Sequence, residues 1–263
     1  MRICSTPPTL LAAAFLVVFC LTERAAAQVS LKKAAAMLES SDRETVANGI
    51  QSLGMLGKPA AVRPMLRRIQ RGLPPDLLEL SIMTLTALGQ KSAGPVLFEL
   101  VMHRRPLIRT RAVEAIATVN PPGAESALVA ALSDSDAQVR AAAAIGLGEV
   151  GTKGSLDTLF HALDRGVMQC ATTIGKIVPA DQVDQLLRYL VRIPFRFLSP
   201  AFDQVLTRED VSEKAKLKVI AGLGDLATTE IKGYLVDYLS SAGETAPPAI
   251  IRAVRSTVQL IAD

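Results

Sequence analysis

The chain has 263 residues, a formal net charge of +4, three Cys and no Trp. Two of the Cys lie in a suggested leader, so the remaining chain has no internal disulfide and must be held by a hydrophobic core, which its length is sufficient to bury. A small charge excess, with Tyr189, Tyr234 and Tyr238 as the only tyrosines and no aromatic platform beside the basic residues, argues against a nucleic-acid partner.

Arg2 precedes an apolar run over residues 10–21, and Ala25, Ala26 and Ala27 supply small residues before Gln28. This is the pattern of a secretory signal peptide over residues 1–27, cleaved after Ala27. The run falls short of the roughly 20 residues that cross a bilayer as a helix, so no permanent membrane anchor is expected. Bulky Phe19 argues against lipid modification of Cys20. Residues 28–263 are then the exported protein, periplasmic or secreted. Cys170, its only thiol, reads as a small buried filler in an apolar stretch.

Beyond the leader, three apolar series recur in lockstep. They are Leu56, Leu88, Val119, Val150, Ile177, Leu226; Met65, Leu97, Leu128, Leu159, Leu186, Leu235; and Ile69, Val101, Leu132, Leu163, Leu190, Leu239. All three step by 32, 31, 31, 27 and 49 residues, so one unit is copied, with room for two short helices and two turns. Neither helix of a pair buries its stripe alone, and stacked pairs share one core. The expected fold is all-α, an α-solenoid of stacked antiparallel helix pairs. Residues 30–39 read as a second helix without its first, and residues 250–261 as a first helix without its second. Pro59, Pro75 and Pro248 fall at helix starts, where a missing N–H costs nothing. No linker or composition break divides residues 28–263.

The fourth copy carries the clearest signals. Asp134 or Asp136 can cap a first helix bearing Val139, Ala143, Leu147 and Val150, and Gly151 is placed to close it in the left-handed conformation, as Gly57 and Gly89 are in earlier copies. A second helix follows, with Leu156, Leu159, Phe160 and Leu163 on one stripe. The run from Asp134 through Val139, Arg140 and the alanines 141–144 to Leu147, Gly148, Glu149, Val150 and Gly151 resembles the short HEAT-like repeat, the type also found in phycobilisome lyase subunits. Ile108 with Arg109, and Leu53 to Gly57, echo it. The resemblance implies a right-handed α-solenoid that binds other macromolecules.

Departures from the period point to individual features. The 49-residue step leaves an insertion at about residues 191–210 that holds Phe195, Phe197 and Phe202. These rings are candidate exposed anchors for a partner; the favoured alternative is a degenerate extra helix with the rings buried. Residues 58–111 carry ten Lys or Arg against three acidic residues, a local net charge of +7. Such a segment attracts acidic partners. The second helices align a ladder outside the core: Arg67, Glu99, Ala130, His161, Arg188 and Asp237, with Arg63 and Asp157 four residues before Arg67 and His161. In solenoids these helices line the concave surface, so Arg63, Arg67, Glu99, Asp157, His161, Arg188 and Asp237 join the three rings as candidate partner-binding residues. Asp157 and His161 share a helix face, but His103, the only other histidine, is offset from the ladder, and no metal site is expected.

No Gly-x-Ser-x-Gly, Walker loop or Rossmann fingerprint occurs. The glycines flanking Leu147 and Leu223 suit close helix packing. The expected function is a non-enzymatic protein-interaction scaffold without cofactor, binding another protein, an acidic one among the candidates. The alternatives are a structural or assembly factor on an anionic envelope polymer or membrane surface, and an accessory lyase-type subunit.

Overall fold

Short polar caps, prolines and glycines divide the chain into helices of one to four turns. A computed structural model describes residues 30–242 and 246–261, so the leader lies outside the described residues. Ser30 opens α1 (Leu31–Met37) by accepting from the Lys33 backbone N–H at 3.2 Å. Asp42 caps α2 (Arg43–Leu56) through the Thr45 N–H at 2.8 Å, and Gly57 ends it at a φ of 61°. A 3-10 turn at Pro59–Ala61 leads into α3 (Val62–Gln70). Pro75 then starts α4 (Pro75–Leu88), which Gly89 closes at a φ of 63°. A second 3-10 turn, Lys91–Ala93, leads into α5 (Gly94–Leu100).

The helices gather into two compact units, one ending at Val96 and the other starting at Leu97. In the first, α1 packs on α2, α2 on α4, and α3 on α4, so α1 holds against α2 the place that α3 holds against α4. Helices approach closely where side chains are absent. A Cβ on Gly54 would lie 2.8 Å from Thr84 Cγ2.

The second unit continues with α6 (Pro106–Val119), α7 (Ala124–Ala131), α8 (Ala137–Val150) and α9 (Leu156–Asp164). It goes on through α10 (Cys170–Ile177), α11 (Val183–Leu187), α12 (Phe195–Thr207), α13 (Glu213–Gly224), α14 (Thr229–Ala242) and α15 (Pro248–Leu260). Among the described residues the regular structure is entirely helical. First helices α6, α8 and α10 pack side by side, while α7 and α9 each pack on the first helix that follows. Asp136 is the cap of α8, accepting from the Gln138 and Val139 N–H groups at 2.8 and 3.3 Å. Helix α15 packs on α13 and α14, the contacts of a first helix.

Three expectations need correction. The first concerns the core. Met65, Leu97, Leu128, Leu159, Leu186 and Leu235 are all buried, but in the series from Leu56 to Leu226 only Leu88 and Val119 are. The fully enclosed ladder on the first helices lies three residues earlier: Leu53, Leu85, Ile116, Leu147, Ile174 and Leu223. Both series lie on the same side of their helices, and the later one sits in the last turn, where the helix leaves the core. In the remaining series, Ile69, Leu132 and Leu163 are buried, while Val101, Leu190 and Leu239 are half-buried.

The second concerns Gly151, which is extended (φ −70°, ψ 153°) rather than left-handed. Glu125 on α7 accepts from the Thr152 N–H and hydroxyl at 2.8 and 2.9 Å, and this draws the chain straight out of α8. Glycine suits the site for a different reason, because a Cβ there would lie 2.3 Å from the Leu147 carbonyl oxygen. Asn120 holds the left-handed position in the preceding copy, at a φ of 47°.

The third is the insertion, where the favoured reading of an extra helix stands and only its irregularity is corrected. It is a regular 13-residue helix, α12, packed along α10. The approach is so close that a Cβ on Gly175 would meet the Ala201 backbone oxygen at 2.3 Å. Meanwhile α11 packs on α13, and α13 on α15, so the pairing of second with first helix resumes beyond the extra helix.

Candidate interaction surface

Val62, Met65 and Ile69 face the core at helical spacing, so the rest of α3 is turned to solvent and carries its basic residues. Four arginines follow one another here with two different roles. Arg68 Nε donates to the Leu38 carbonyl oxygen at 2.9 Å, and its Nη1 donates to the Gly72 carbonyl. Arg71 clasps both carboxylate oxygens of Glu39, one at 2.6 Å, and this guanidinium holds the Glu39 carboxyl below its ordinary pKa. These two arginines tie the second helix of one repeat to that of the previous one. Arg63 and Arg67 are exposed, with no side-chain partner in the structure, one turn apart on the same face.

In the second unit the remaining ladder residues are also exposed. Glu99 lies on α5, Asp157 and His161 on α9, Arg188 in the 3-10 turn that extends α11, and Asp237 on α14. Their charges are mixed in sign and form no single electrostatic feature. Asp157 and His161 share a face of α9, yet no hydrogen bond joins them. Among the described residues no three His, Cys, Asp or Glu side chains gather as metal ligands. The carboxylate that does organise α9 is Asp164, which accepts from the Tyr189 hydroxyl at 3.1 Å and pairs with Arg192 at 2.8 Å. Tyr189 stacks on Phe160 at 5.1 Å between centroids.

The phenylalanines divide. Phe195 and Phe202 are buried and stack at 6.1 Å, and Phe195 meets the Tyr234 ring edge-on at 5.1 Å. They belong to the core, in line with the favoured alternative of buried rings, and neither is an exposed anchor. The reason is their spacing: seven residues apart on α12, they fall on the face that also buries Leu198 and Val205. Phe197, off that face, is 37 % exposed under the Arg196 guanidinium, 4.7 Å from its ring centroid.

Periodicity of apolar residues did not reveal the polar ties between repeats. Arg109 forms a two-pronged pair with Asp134 at 2.7 and 2.8 Å, the side chains being 12 % and 14 % exposed. The paired guanidinium holds Asp134 below the usual carboxylate range. Arg140 donates to the Asp134 and Ser135 carbonyl oxygens at 2.9 Å each. Arg208 donates to the Gly175 and Val178 carbonyls at the end of α10, at 3.0 and 2.8 Å. Arg165 does the same for the Leu132 carbonyl at 3.3 Å. A detectable signal was present, because Arg71 and Arg165 stand at the same repeat position, three copies apart. Cys170 is buried, and burial pushes its thiol up to about 12.

Helix pairs of one period, each covering its neighbour's apolar stripe, define an α-helical repeat protein of the solenoid class. Residues 94–168 match the family model of HEAT repeats, and the motif at residues 134–151 that resembles this repeat lies inside that span. Solved structures to which the chain is similar include the complex of CpcE and CpcF of phycocyanin lyase from Nostoc sp. It is 16 % identical, with 89 % of this chain and 96 % of that chain covered and a TM-score of 0.48. A designed armadillo repeat protein in complex with the peptide (KR)4 is 13 % identical, with 89 % and 100 % covered and a TM-score of 0.37. An engineered protein is 12 % identical, with 87 % and 68 % covered and a TM-score of 0.43. No curated protein matches the chain.

Proposed function

We propose that the chain is a non-enzymatic scaffold, exported from the cytoplasm, that binds an acidic protein through the solvent face of α3. One observation carries this reading. Of the four arginines at residues 63, 67, 68 and 71, two are consumed in joining repeats, and Arg63 and Arg67 remain exposed and unpaired, one turn apart. Unspent guanidinium groups on a rigid helix meet carboxylates in a defined geometry at small entropic cost. The local charge of the same unit, +4 over residues 58–96, steers an acidic partner toward them.

The test is binding of a fluorescent oligoglutamate peptide to the full chain. The expected result is an affinity that falls steeply with added salt and drops at least about tenfold in the Arg63→Ala, Arg67→Ala double variant. An affinity that ignores both salt and the substitutions refutes the acidic-partner reading. Export is tested separately, by the intact mass of the protein from its native source. The expected N-terminus is Gln28, and a retained Met1 overturns it.

A further inference from the structure

In the second unit, the loops that join each second helix to the next helix recur along one rim, over residues 101–109, 132–140, 163–171 and 190–197. The extra helix α12 starts at that rim too. Arg208, just past the end of α12, donates to carbonyls at the end of α10, so the two helices run the same way. These four segments hold seven Arg and three Asp, with no Lys or Glu. All three carboxylates are committed: Asp134 to Arg109, Asp136 to the N–H groups that open α8, and Asp164 to Tyr189 and Arg192. Arg104, Arg105 and Arg196 are exposed, and none has an anionic partner among the described residues. Arg196 lies over the Phe197 ring, which steadies the guanidinium without using its N–H groups.

The rim also presents apolar side chains to solvent. Met102 and Val191 stand at one repeat position, three copies apart, and are 84 % and 79 % exposed. Exposed Leu107 and Phe197 lie in the same two segments. Scattered exposed apolar residues are ordinary, but here each tip coincides with arginines that lack a counter-charge. Stacked helices lie about 8 to 10 Å apart, so three copies separate the tips by about 25 to 30 Å. A protein would need two separate apolar pockets at that spacing, whereas a bilayer surface receives both tips at once. We infer that this rim docks on a bilayer containing anionic phospholipid, with Met102, Leu107, Val191 and Phe197 entering the acyl boundary and Arg104, Arg105 and Arg196 on lipid phosphates. Interfacial binding combines buried apolar area with attraction to anionic headgroups, and the rim supplies both. A guanidinium offers a phosphate two parallel N–H donors while its stem lies along apolar surface. This site is separate from the acidic-protein site assigned to α3, which belongs to the other unit.

The chain has no Trp, so Met102→Trp and Val191→Trp each place a single fluorescent reporter on a rim tip. The full chain carrying either is mixed with vesicles of phosphatidylcholine, alone or with phosphatidylglycerol, with brominated acyl chains in a parallel set. On the mixed vesicles both reporters are expected to shift to the blue and to be quenched by bromine, with neither change on phosphatidylcholine alone. Ile145→Trp, exposed in the middle of α8 and away from the rim, is expected to stay unquenched. Arg104→Gln, Arg105→Gln and Arg196→Gln together should lower vesicle affinity at least about tenfold, while Arg63→Ala, Arg67→Ala leaves the rim reporters quenched. Reporters that do not respond, that respond equally without phosphatidylglycerol, or that are quenched no more than Ile145→Trp overturn the proposal. So does an unchanged affinity in the triple variant, or a blue shift of the rim reporters caused by the oligoglutamate peptide without lipid, which makes the occupant a protein. Should the triple variant fail to fold, the three reporters and the two lipid mixtures decide the matter. Failure of oligoglutamate to bind anywhere counts against the α3 reading alone.

Discussion

Replacing Leu147 by Ala removes three carbons from a side chain with no solvent exposure, in the first helix held between α6 and α10. Backbones on both sides are already at close packing distance: a Cβ on Gly146 would be 2.8 Å from Ala117 Cβ, and one on Gly148 would be 3.2 Å from Thr173 Oγ1. Neighbours so placed have little freedom to collapse into the vacated space, so lost transfer energy and a residual cavity both contribute, about 3 to 4 kcal/mol together. Val150, one turn later, belongs to the sequence series but is half-buried, and Val150→Ala should cost about 1 kcal/mol. With a urea m-value of about 3 kcal/mol/M, the midpoints should fall by about 1 M and about 0.3 M. Urea unfolding is followed by far-ultraviolet circular dichroism and tyrosine fluorescence, whose coincidence checks that one transition is measured. Equal midpoint shifts, or a larger one for Val150→Ala, would refute the placement of the core on the ladder from Leu53 to Leu223.

Asp134→Asn should destabilise by about 2 to 4 kcal/mol because it strands the mostly buried Arg109 guanidinium, and an Arg109→Met, Asp134→Asn double variant should recover part of that loss in the same urea assay. Because Asp134 ionises more readily folded than unfolded, its contribution is complete above the ordinary aspartate pKa and disappears as pH falls through the lowered folded value. The stability difference between the native chain and Asp134→Asn should therefore shrink on acidification, and a difference that grows contradicts the pairing. Gly175→Ala should lower the melting temperature by several degrees, since its Cβ would strike the Ala201 backbone. A neutral result would show that α12 does not lie against α10. Native Cys170 should resist iodoacetamide at neutral pH and react once the chain is unfolded; fast native labelling would contradict its burial. Arg67→Ala should change stability by less than about 0.5 kcal/mol in the urea assay, as fits an exposed side chain, and a core-sized loss would reassign it.

The repeat and its helix pairs were legible because apolar side chains at fixed intervals are what a stacked core requires. The series from Met65 to Leu235 is buried throughout for that reason. Series that satisfy the same intervals but lie a turn apart are equivalent to a periodicity count, and only packing distinguishes Leu147 from Val150. Gly151 illustrates a second limit. Glycine suits both a left-handed turn and a close backbone approach, and the choice was made by Glu125, 26 residues earlier in the chain. In the insertion, the odd length of the step showed that something was added. Its helical spacing of Phe195, Leu198, Phe202 and Val205 was present in the sequence and marks a buried stripe once α10 is known to be its neighbour. Of the candidate surface, the exposure of Arg63 and Arg67 followed from helical phase. Their lack of partners did not, because Arg68 and Arg71 are the same residue type in the same segment.

The central claim, a rigid helix face with two uncommitted arginines that meets an acidic protein, is tested most directly by crosslinking the native chain to its partner and mapping the linked peptides by mass spectrometry. The account places the crosslinks on residues 58–71, opposite a peptide rich in Asp and Glu, with the yield abolished in the Arg63→Ala, Arg67→Ala variant. A partner joined with undiminished yield in that variant, or a contact confined to the outer faces of the first helices, would contradict it.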